Sequence, residues 1–543
     1  MKTAMLLGVG LAILIPTSQA AQSAQAYRPL ALSPMCLTAE SEGGPAEAKV
    51  TKPPPMSAAF GNGAYKIAAN AEGQRWFNYG LQLGWAFKHD EATAAFAEAM
   101  RLDPECGMCA WGHAWSLGPT INFGIGPEDL VKARGAAAKA NSLLARGSER
   151  DRELGAALVA RYAGKGDNRA FARAMDALAT KYPAEDPIWV WAADAWMIAD
   201  QPARSMPLLE TVLARSPGDA GAIHFYIHAS EWIGSPGKAE VYADKLQGIA
   251  PGASHLIHMP SHTYYQIGRY KDAARANLDA MDVDAAWVKR TDGPDNLFKV
   301  GYYGHNVNFA LGGAMMAGDA QAALKIGGVY RAIDMAKVNP WIRAGSAVGW
   351  IAYGRHGDID ELLAMPKPVH PLHRAMWRYA RGEALSRRGD AAGVRAEAAA
   401  IAAARPGIAK GDSSDYIAFV DVAHEVLLGR AAMLENNPRE AARHYYKASL
   451  QQERELQGRD PPPWWYPIRR SYASALLASG QTDKALKETD KVLAKWPHDP
   501  LTLVVASRAE ARKGRADVAG ERMKQAGREW AGGNLNTIAA GQI

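Results

Sequence analysis

The chain of 543 residues is 48% hydrophobic, 22% charged and 8% aromatic, which excludes a disordered tail and a small module that depends on disulfides. Lys and Arg number 62 against 56 Asp and Glu, so the formal net charge is only +6. This excess is small for so long a chain and does not favour a nucleic-acid partner, because such proteins concentrate more basic charge on one face.

Residues 1–26 have the features of a secretory signal peptide. Lys2 precedes an apolar run from Ala4 to Pro16, and Ala20 and Ala26 are small residues typical of cleavage positions. The apolar run is too short to span a bilayer, and no later stretch reaches 18 uncharged apolar residues. We therefore expect an exported protein without a membrane span, located in a bacterial periplasm.

Residues 27–72 are rich in Pro, Gly, Ser and Glu, and Pro53, Pro54 and Pro55 follow one another. This composition predicts an extended linker, or a strap that lies on the next domain.

A 34-residue repeat begins after this segment. Trp76, Tyr79, Gly80, Ala92 and Pro104 match the tetratricopeptide (TPR) pattern. The positions that recur at displacements of 34 are Gly166, Asp200, Gly234 and Gly268 in one series and Pro183, Pro217 and Pro251 in another. Near the C-terminus the same signature consists of Gly480, Ala485, Pro497 and Gly514.

The repeats predict an all-α fold, an α-solenoid in which TPR-like helix pairs stack into a right-handed superhelix with one concave wall. We divide it into an N-terminal TPR array at 73–337, irregular helical repeats at 338–460, and C-terminal TPR repeats at 461–543. In the irregular part, Ala-rich helices are expected at Arg374–Arg388 and Tyr416–Leu434. The run Pro461–Pro467 contains too many prolines for a helix and predicts a connecting loop.

The histidines follow the same period. His224 and His228 share one helix face at i, i+4, and adding 34 to each number gives His258 and His262. Stacking of consecutive repeats therefore places four imidazoles around a common point. His255 lies one turn before His258, and alignment of Gly318 with Gly268 places His305 level with His255.

This cluster predicts a transition-metal site. Buried imidazoles without a shared cation would leave many donors and acceptors to satisfy, and neutral imidazole favours copper, zinc, nickel or iron over calcium or magnesium. Copper is preferred to zinc by the Irving–Williams order, with Met315 and Met316 as soft neighbours. Asp194, one period before His228, is a candidate to orient an imidazole from outside the coordination sphere.

Three functions remain open on these residues. The metal could serve a redox enzyme, or it could be stored or delivered without catalysis. Alternatively, the concave groove could hold a small molecule, a peptide or a partner protein without metal. The sequence selects no reaction, and it shows no phosphate loop, nucleophile elbow, dinucleotide fingerprint or HExxH motif.

Cys106 and Cys109 form a CxxC at a predicted helix entry, where three interpretations apply: a disulfide, a redox pair, or soft metal ligands. Export favours the disulfide. Haem attachment is excluded because Ala110, and not histidine, follows Cys109. Cys36 is the third cysteine and has no assigned partner.

With these motifs in hand, the chain resembles a family of exported bacterial TPR proteins that share CxxC, HxxHMPSH and YYxHN motifs. The segments that carry the resemblance are FKHDEATAAFAEAMRLDPECGMCAWGHAWSLGPTIN, AIHFYIHASE, HLIHMPSHTYYQIGRYKDAARAN, YYGHNVNF and PPPWWYPIRRSYASALLASG. The resemblance implies the fold and the compartment more than an activity. It marks as site residues His224, His228, His255, His258, His262 and His305.

Overall fold

The computed structural model describes residues 52–291, 293, 296–410, 416–456 and 461–543. The expected signal peptide, the first part of the expected linker at 27–51, and Cys36 lie outside the described residues. Within them, the chain forms α-helices and short 3₁₀ turns, and no strand occurs in this part of the chain. The all-α prediction is confirmed.

The helices follow one another as antiparallel pairs. The first third of the chain contains α1 (Ala71–Trp85), α2 (His89–Leu102), α3 (Gly107–Ser116), α4 (Pro127–Leu144), α5 (Glu149–Arg161), α6 (Asn168–Lys181), α7 (Asp186–Ile198) and α8 (Pro202–Arg215). The middle third contains α9 (Ala220–Trp232), α10 (Glu240–Ile249), α11 (Ser254–His258), α12 (Pro260–Ile267), α13 (Tyr270–Thr291), α14 (Tyr303–Ala317), α15 (Ala320–Arg331), α16 (Pro340–Gly345), α17 (Trp350–His356) and α18 (Ile359–Ala364). The last third contains α19 (Pro371–Arg388), α20 (Ala391–Ala409), α21 (Ile417–Leu434), α22 (Pro438–Glu455), α23 (Arg469–Ala478), α24 (Thr482–Lys495), α25 (Pro500–Arg512) and α26 (Ala516–Arg528).

Helix starts in the central repeats keep the predicted phase. The first helices begin at Asp186, Ala220 and Ser254, which are 34 residues apart, and α8 and α13 begin at Pro202 and Tyr270, which are two periods apart. Such stacked pairs make the molecule an α-solenoid of TPR type. The two helices expected in the irregular part are present as α19 and α21, and residues 461–467 form no helix, as expected.

The recurring small residue is explained by backbone geometry. Gly166, Asp200, Gly234 and Gly268 all have positive φ, between 59° and 91°. Each of them lies between the two helices of a pair, where the chain must enter the left-handed region to reverse direction. Asp200 shows that a side chain is tolerated there, at the energetic cost of an L-residue in this region.

Residues 55–67 run along α1 and, apart from a 3₁₀ turn at Ala58–Phe60, form no helix. Three polar side chains of α1 hold this segment: Gln82 donates to the Gly63 carbonyl at 3.0 Å, Asn78 accepts from the Tyr65 amide at 3.1 Å, and Gln74 accepts from the Ile67 amide at 3.0 Å. Because the three residues are spaced i, i+4 and i+8, they form one polar row along α1. Such a polar row could bind the backbone of a peptide, and in this structure residues 55–67 occupy it.

The C-terminal repeats pack against the central repeats. The Tyr270 hydroxyl donates to the Pro497 carbonyl at 3.3 Å, and the Ala531 amide donates to the Ala317 carbonyl at 2.8 Å. The central repeats are therefore packed against the C-terminal ones, which helps to bury what lies between them. None of the helices in the described ranges is both long and apolar enough to cross a bilayer.

Two glycines with similar φ should respond differently to substitution. A Cβ at Gly268 would lie 2.0 Å from the Pro497 carbonyl oxygen, whereas a Cβ at Gly234 would meet nothing within 4 Å. We expect Gly234→Ala to lower the free energy of unfolding by about 1–2 kcal/mol, from the backbone penalty alone. Gly268→Ala should cost more, since the contact between the central and C-terminal repeats must also open.

Chemical denaturation of both variants checks this, with Asp200→Gly as the control, which should stabilise by about 1 kcal/mol. Equal effects of the two alanine substitutions would contradict the packing described for Gly268.

Candidate metal centre

The six predicted histidines come together. His224 and His228 lie on α9, His255 and His258 on α11, His262 on α12, and His305 on α14. Helices α9, α11 to α12, and α14 are the first helices of successive pairs, so the repeat stacking alone brings their inner faces together. We call these six residues the histidine cluster.

The cluster is buried and does not line an open groove. Its most exposed member, His305, has 7% of its surface accessible, and His224 and His258 have none. Buried polar rings of this kind need internal partners, because water cannot supply them.

The first trio consists of His224, His228 and His255. The Nε2 atoms of His224 and His255 lie 3.2 Å apart, and the His228 ring centre is 5.2 Å from that of His224. One ligating nitrogen from each of the three residues falls within 4.8 Å of the other two. Both nitrogens of His228 and the Nδ1 atom of His255 are buried without a hydrogen-bond partner.

The second trio consists of His258, His262 and His305. The Nε2 atoms of His258 and His262 lie 2.9 Å apart, and the His305 ring centre is 4.7 Å from that of His258. The ligating nitrogens of this trio also fall within 4.8 Å of one another.

Glu231 adds a carboxylate between the trios. Its Oε2 atom is 3.1 Å from His262 Nδ1 and 4.0 Å from His228 Nδ1, and the residue is itself buried. Glu231 was missed at the sequence level. Its position in the sequence could have identified it, because a residue at i+3 from His228 lies on the same helix face.

Hydrogen bonds at Nδ1 fix the orientation of three rings. His224 Nδ1 donates to the Trp85 carbonyl at 2.6 Å, and His258 Nδ1 faces Asn277 Oδ1 at 2.6 Å. The Asn277 amide nitrogen donates to the Ala273 carbonyl, so its oxygen must be the acceptor from His258. His262 Nδ1 likewise faces the Glu231 carboxylate. In each ring the proton is on Nδ1, and the lone pair on Nε2 points into the cluster.

Burial keeps four of the six imidazoles neutral, those of His224, His228, His255 and His258. It lowers the pKa of His224 to about 3, against a smaller opposing effect of the Trp85 carbonyl. Burial, reinforced by the neighbouring imidazoles, also lowers the pKa of His228, His255 and His258 well below 6.5. Neutral imidazole is the form that binds metal ions.

Each trio has a phenylalanine against it. The Phe87 ring centre lies 4.2 Å from that of His224 and 4.8 Å from that of His255. The Phe309 ring centre lies 4.7 Å from that of His262 and 5.0 Å from that of His305. Phe87 has a φ of 55° at the corner between α1 and α2, a costly conformation for a phenylalanine. No sequence signal marked Phe87, Phe309 or Asn277.

The remaining predicted residues lie outside both trios. Cys106 and Cys109 are joined in a buried disulfide at the start of α3, and no cysteine belongs to the groups of close metal-ligating side chains in the described residues. Met315 and Met316 are buried in the hydrophobic core. Asp194 lines a cavity of about 20 Å³, together with Phe87 and His89, which is room for one water molecule.

Comparison with known proteins adds little. No protein-family model and no curated protein matches the chain. One similar solved structure is the human IFIT1 dimer with m7Gppp-AAAA, at 13% identity and a TM-score of 0.28, covering 84% of this chain and 81% of that one. Another is Naa15/Naa10 bound to HypK-THB, at 13% identity and a TM-score of 0.23, covering 84% and 89%. Similarities this weak carry no argument, and the chain is assigned to the TPR-type helical-repeat proteins by its own 34-residue helix phase.

Asp194 gives a test of the electrostatics beside the cluster. Burial raises its pKa from 3.8 to about 7, with Arg161 acting in the opposite direction. The folded state therefore binds the proton more tightly than the unfolded state, and the wild-type protein loses stability as the pH rises from about 4 to 7. In metal-free protein at pH 8, we expect Asp194→Asn to raise the free energy of unfolding by about 1–4 kcal/mol.

This gain should vanish towards pH 4, as measured by urea unfolding across the pH range. Asp499→Asn is the control, because Asp499 is paired with buried Arg470 at 2.8 Å, and its loss should destabilise at pH 8. A gain for Asp194→Asn that grows on acidification would contradict the assignment.

Proposed function

We propose that this chain binds a transition metal ion through the histidine cluster, with copper preferred and zinc next. The observation that carries the proposal is the approach of His258 Nε2 and His262 Nε2 to 2.9 Å. Both rings hold their proton on the opposite nitrogen, so two lone pairs face each other in a buried space. A shared cation turns this repulsion into two bonds.

The surroundings of the ligands support the same proposal. Metal-binding histidines usually donate their other N–H to a carbonyl or carboxylate, which fixes the ring and strengthens the ligand. The Trp85 carbonyl, the Asn277 amide oxygen and the Glu231 carboxylate take this role for His224, His258 and His262. Three different helices thus supply partners of the expected kind.

The ligand type supports the choice of metal. Calcium and magnesium prefer six or more oxygen ligands, whereas the cluster offers six imidazoles and one carboxylate. Copper stands above zinc in the affinity order for nitrogen ligands. The two methionines do not enter this argument, because they lie in the apolar core.

A metal-dependent redox enzyme fits the site better than a peptide-binding scaffold. Three imidazoles per ion leave a coordination position for an exogenous ligand, as in catalytic centres. A peptide in the open groove would not touch the buried rings, and the polar row on α1 is already filled by residues 55–67. The signal peptide features of residues 1–26 support action outside the cytoplasm, in a bacterial periplasm.

The direct test is the metal content of the full chain, purified without a polyhistidine tag. We expect copper or zinc in the wild type and its loss in His255→Gln/His258→Gln, which removes one ligand from each trio. The control is His373→Gln, since His373 is a buried histidine on α19 that is bonded to the Arg343 carbonyl at 2.7 Å. The control should retain the metal. A wild-type protein that is metal-free and takes up neither ion would contradict the proposal.

Asn277 offers a subtler test, because it touches the ligand and not the metal. Asn277→Leu removes the acceptor for His258 Nδ1 and should weaken metal affinity by about 10–100-fold. Asn277→Asp keeps an acceptor and should retain the affinity. Competition titration with a chelator measures both variants, and equal affinities for Leu and Asp would contradict the role given to this hydrogen bond.

A further inference from the structure

The histidine cluster contains two sets of ligands, and we infer that it is a two-ion centre, with one transition-metal ion in each trio. This inference rests on the proposed metal binding and extends it to a second ion. It follows from the arrangement of the nitrogens, from the division of the cluster, and from the position of Glu231.

Each trio contains one nitrogen pair at chelating distance. With a metal–nitrogen bond of about 2.05 Å, the 3.2 Å between His224 Nε2 and His255 Nε2 corresponds to an N–metal–N angle of about 103°. The 2.9 Å between His258 Nε2 and His262 Nε2 corresponds to about 90° on the same bond length. Both angles are ordinary for four-coordinate sites, so both nitrogen pairs are at a distance that suits chelation of one ion.

The two pairs belong to separate groups of close ligating atoms. Among the described residues, no such group contains both a member of the His224–His255 pair and a member of the His258–His262 pair. An ion at the first pair alone would leave the opposed lone pairs of His258 and His262 unsatisfied in the interior, and an ion at the second pair alone would leave both ring nitrogens of His228 without a partner. Each trio also has its own apolar wall, Phe87 for the first and Phe309 for the second.

His228 and Glu231 connect the two positions. The His228 ring is 5.2 Å, centre to centre, from both His224 in the first trio and His262 in the second. His228, Glu231 and His262 together form a third set of close ligating atoms. A carboxylate at this point lies between two cations, where it offsets part of their mutual repulsion.

The trios also differ in a way that distinguishes the two ions. Glu231 is 3.1 Å from His262 Nδ1 in the second trio but 4.0 Å from His228 Nδ1 in the first, where His224 donates to the neutral Trp85 carbonyl. A carboxylate behind a ligand increases its basicity. We therefore expect the second trio to bind its ion more tightly and to fill first.

The experiment is a titration of metal-free, untagged full chain with Cu²⁺ as the probe, followed by elemental analysis after desalting. We expect two copper ions per chain in the wild type, bound in two steps of different affinity. Single removal of a ligand from one trio should leave one ion, so His255→Gln and His305→Gln should each retain about half of the copper. His373→Gln is the control for the loss of a buried imidazole and should retain both ions.

Electron paramagnetic resonance on the same wild-type samples avoids reliance on variants. The first equivalent of Cu²⁺ should give the spectrum of an isolated ion, and the second should add dipolar broadening from a neighbour a few ångströms away.

The possible results distinguish the two-ion centre from metal binding by the histidine cluster as such. One copper ion per chain, with an unbroadened spectrum at saturation, would overturn the two-ion centre and leave the proposed metal binding in place. Loss of all copper from both His255→Gln and His305→Gln, while His373→Gln stays loaded, would also overturn it, since the trios would then form one shared site. No copper in the wild type would overturn both.

Discussion

Six buried imidazoles define this molecule more than any other feature. Each neutral ring has one donor and one acceptor, and the structure satisfies several of the donors at Nδ1 with Trp85, Asn277 and Glu231. That arrangement makes the acceptor nitrogens of His258 and His262 face one another at 2.9 Å. A cation between His258 and His262 would satisfy both opposed lone pairs without exposing the rings, and the proposals above follow from that constraint.

The solenoid supplies what such a site requires. Stacked first helices repeat the same inward positions every 34 residues, so two histidines on α9 become four when α11 and α12 repeat them. Closure of the superhelix, through Tyr270 and Pro497, packs the central repeats against the C-terminal ones. The segment at 55–67 fills the polar row of α1, so this chain itself occupies a surface on which the backbone of a peptide could otherwise bind.

Much of this could be predicted from the sequence. The repeat phase gave the helix pairs and placed His224, His228, His258 and His262 together, and alignment on Gly318 brought His305 to the same site. The 34-residue period could not predict contacts between residues that occupy different positions within their repeats. Asn277 reaches His258 from the second helix of the pair, and Phe87 reaches His255 from a corner more than a hundred residues earlier. The division of the cluster into two trios depends on how the rings are oriented. Hydrogen bonds at Nδ1 determine that orientation, and the repeat period does not predict them.

The most direct measurement is anomalous X-ray diffraction at the copper absorption edge, on crystals of untagged protein loaded with Cu²⁺. The account predicts anomalous density between His258 Nε2 and His262 Nε2, with a second peak between His224 Nε2 and His255 Nε2. Anomalous density only at surface residues, with ordered water or no density between these nitrogens, would contradict it.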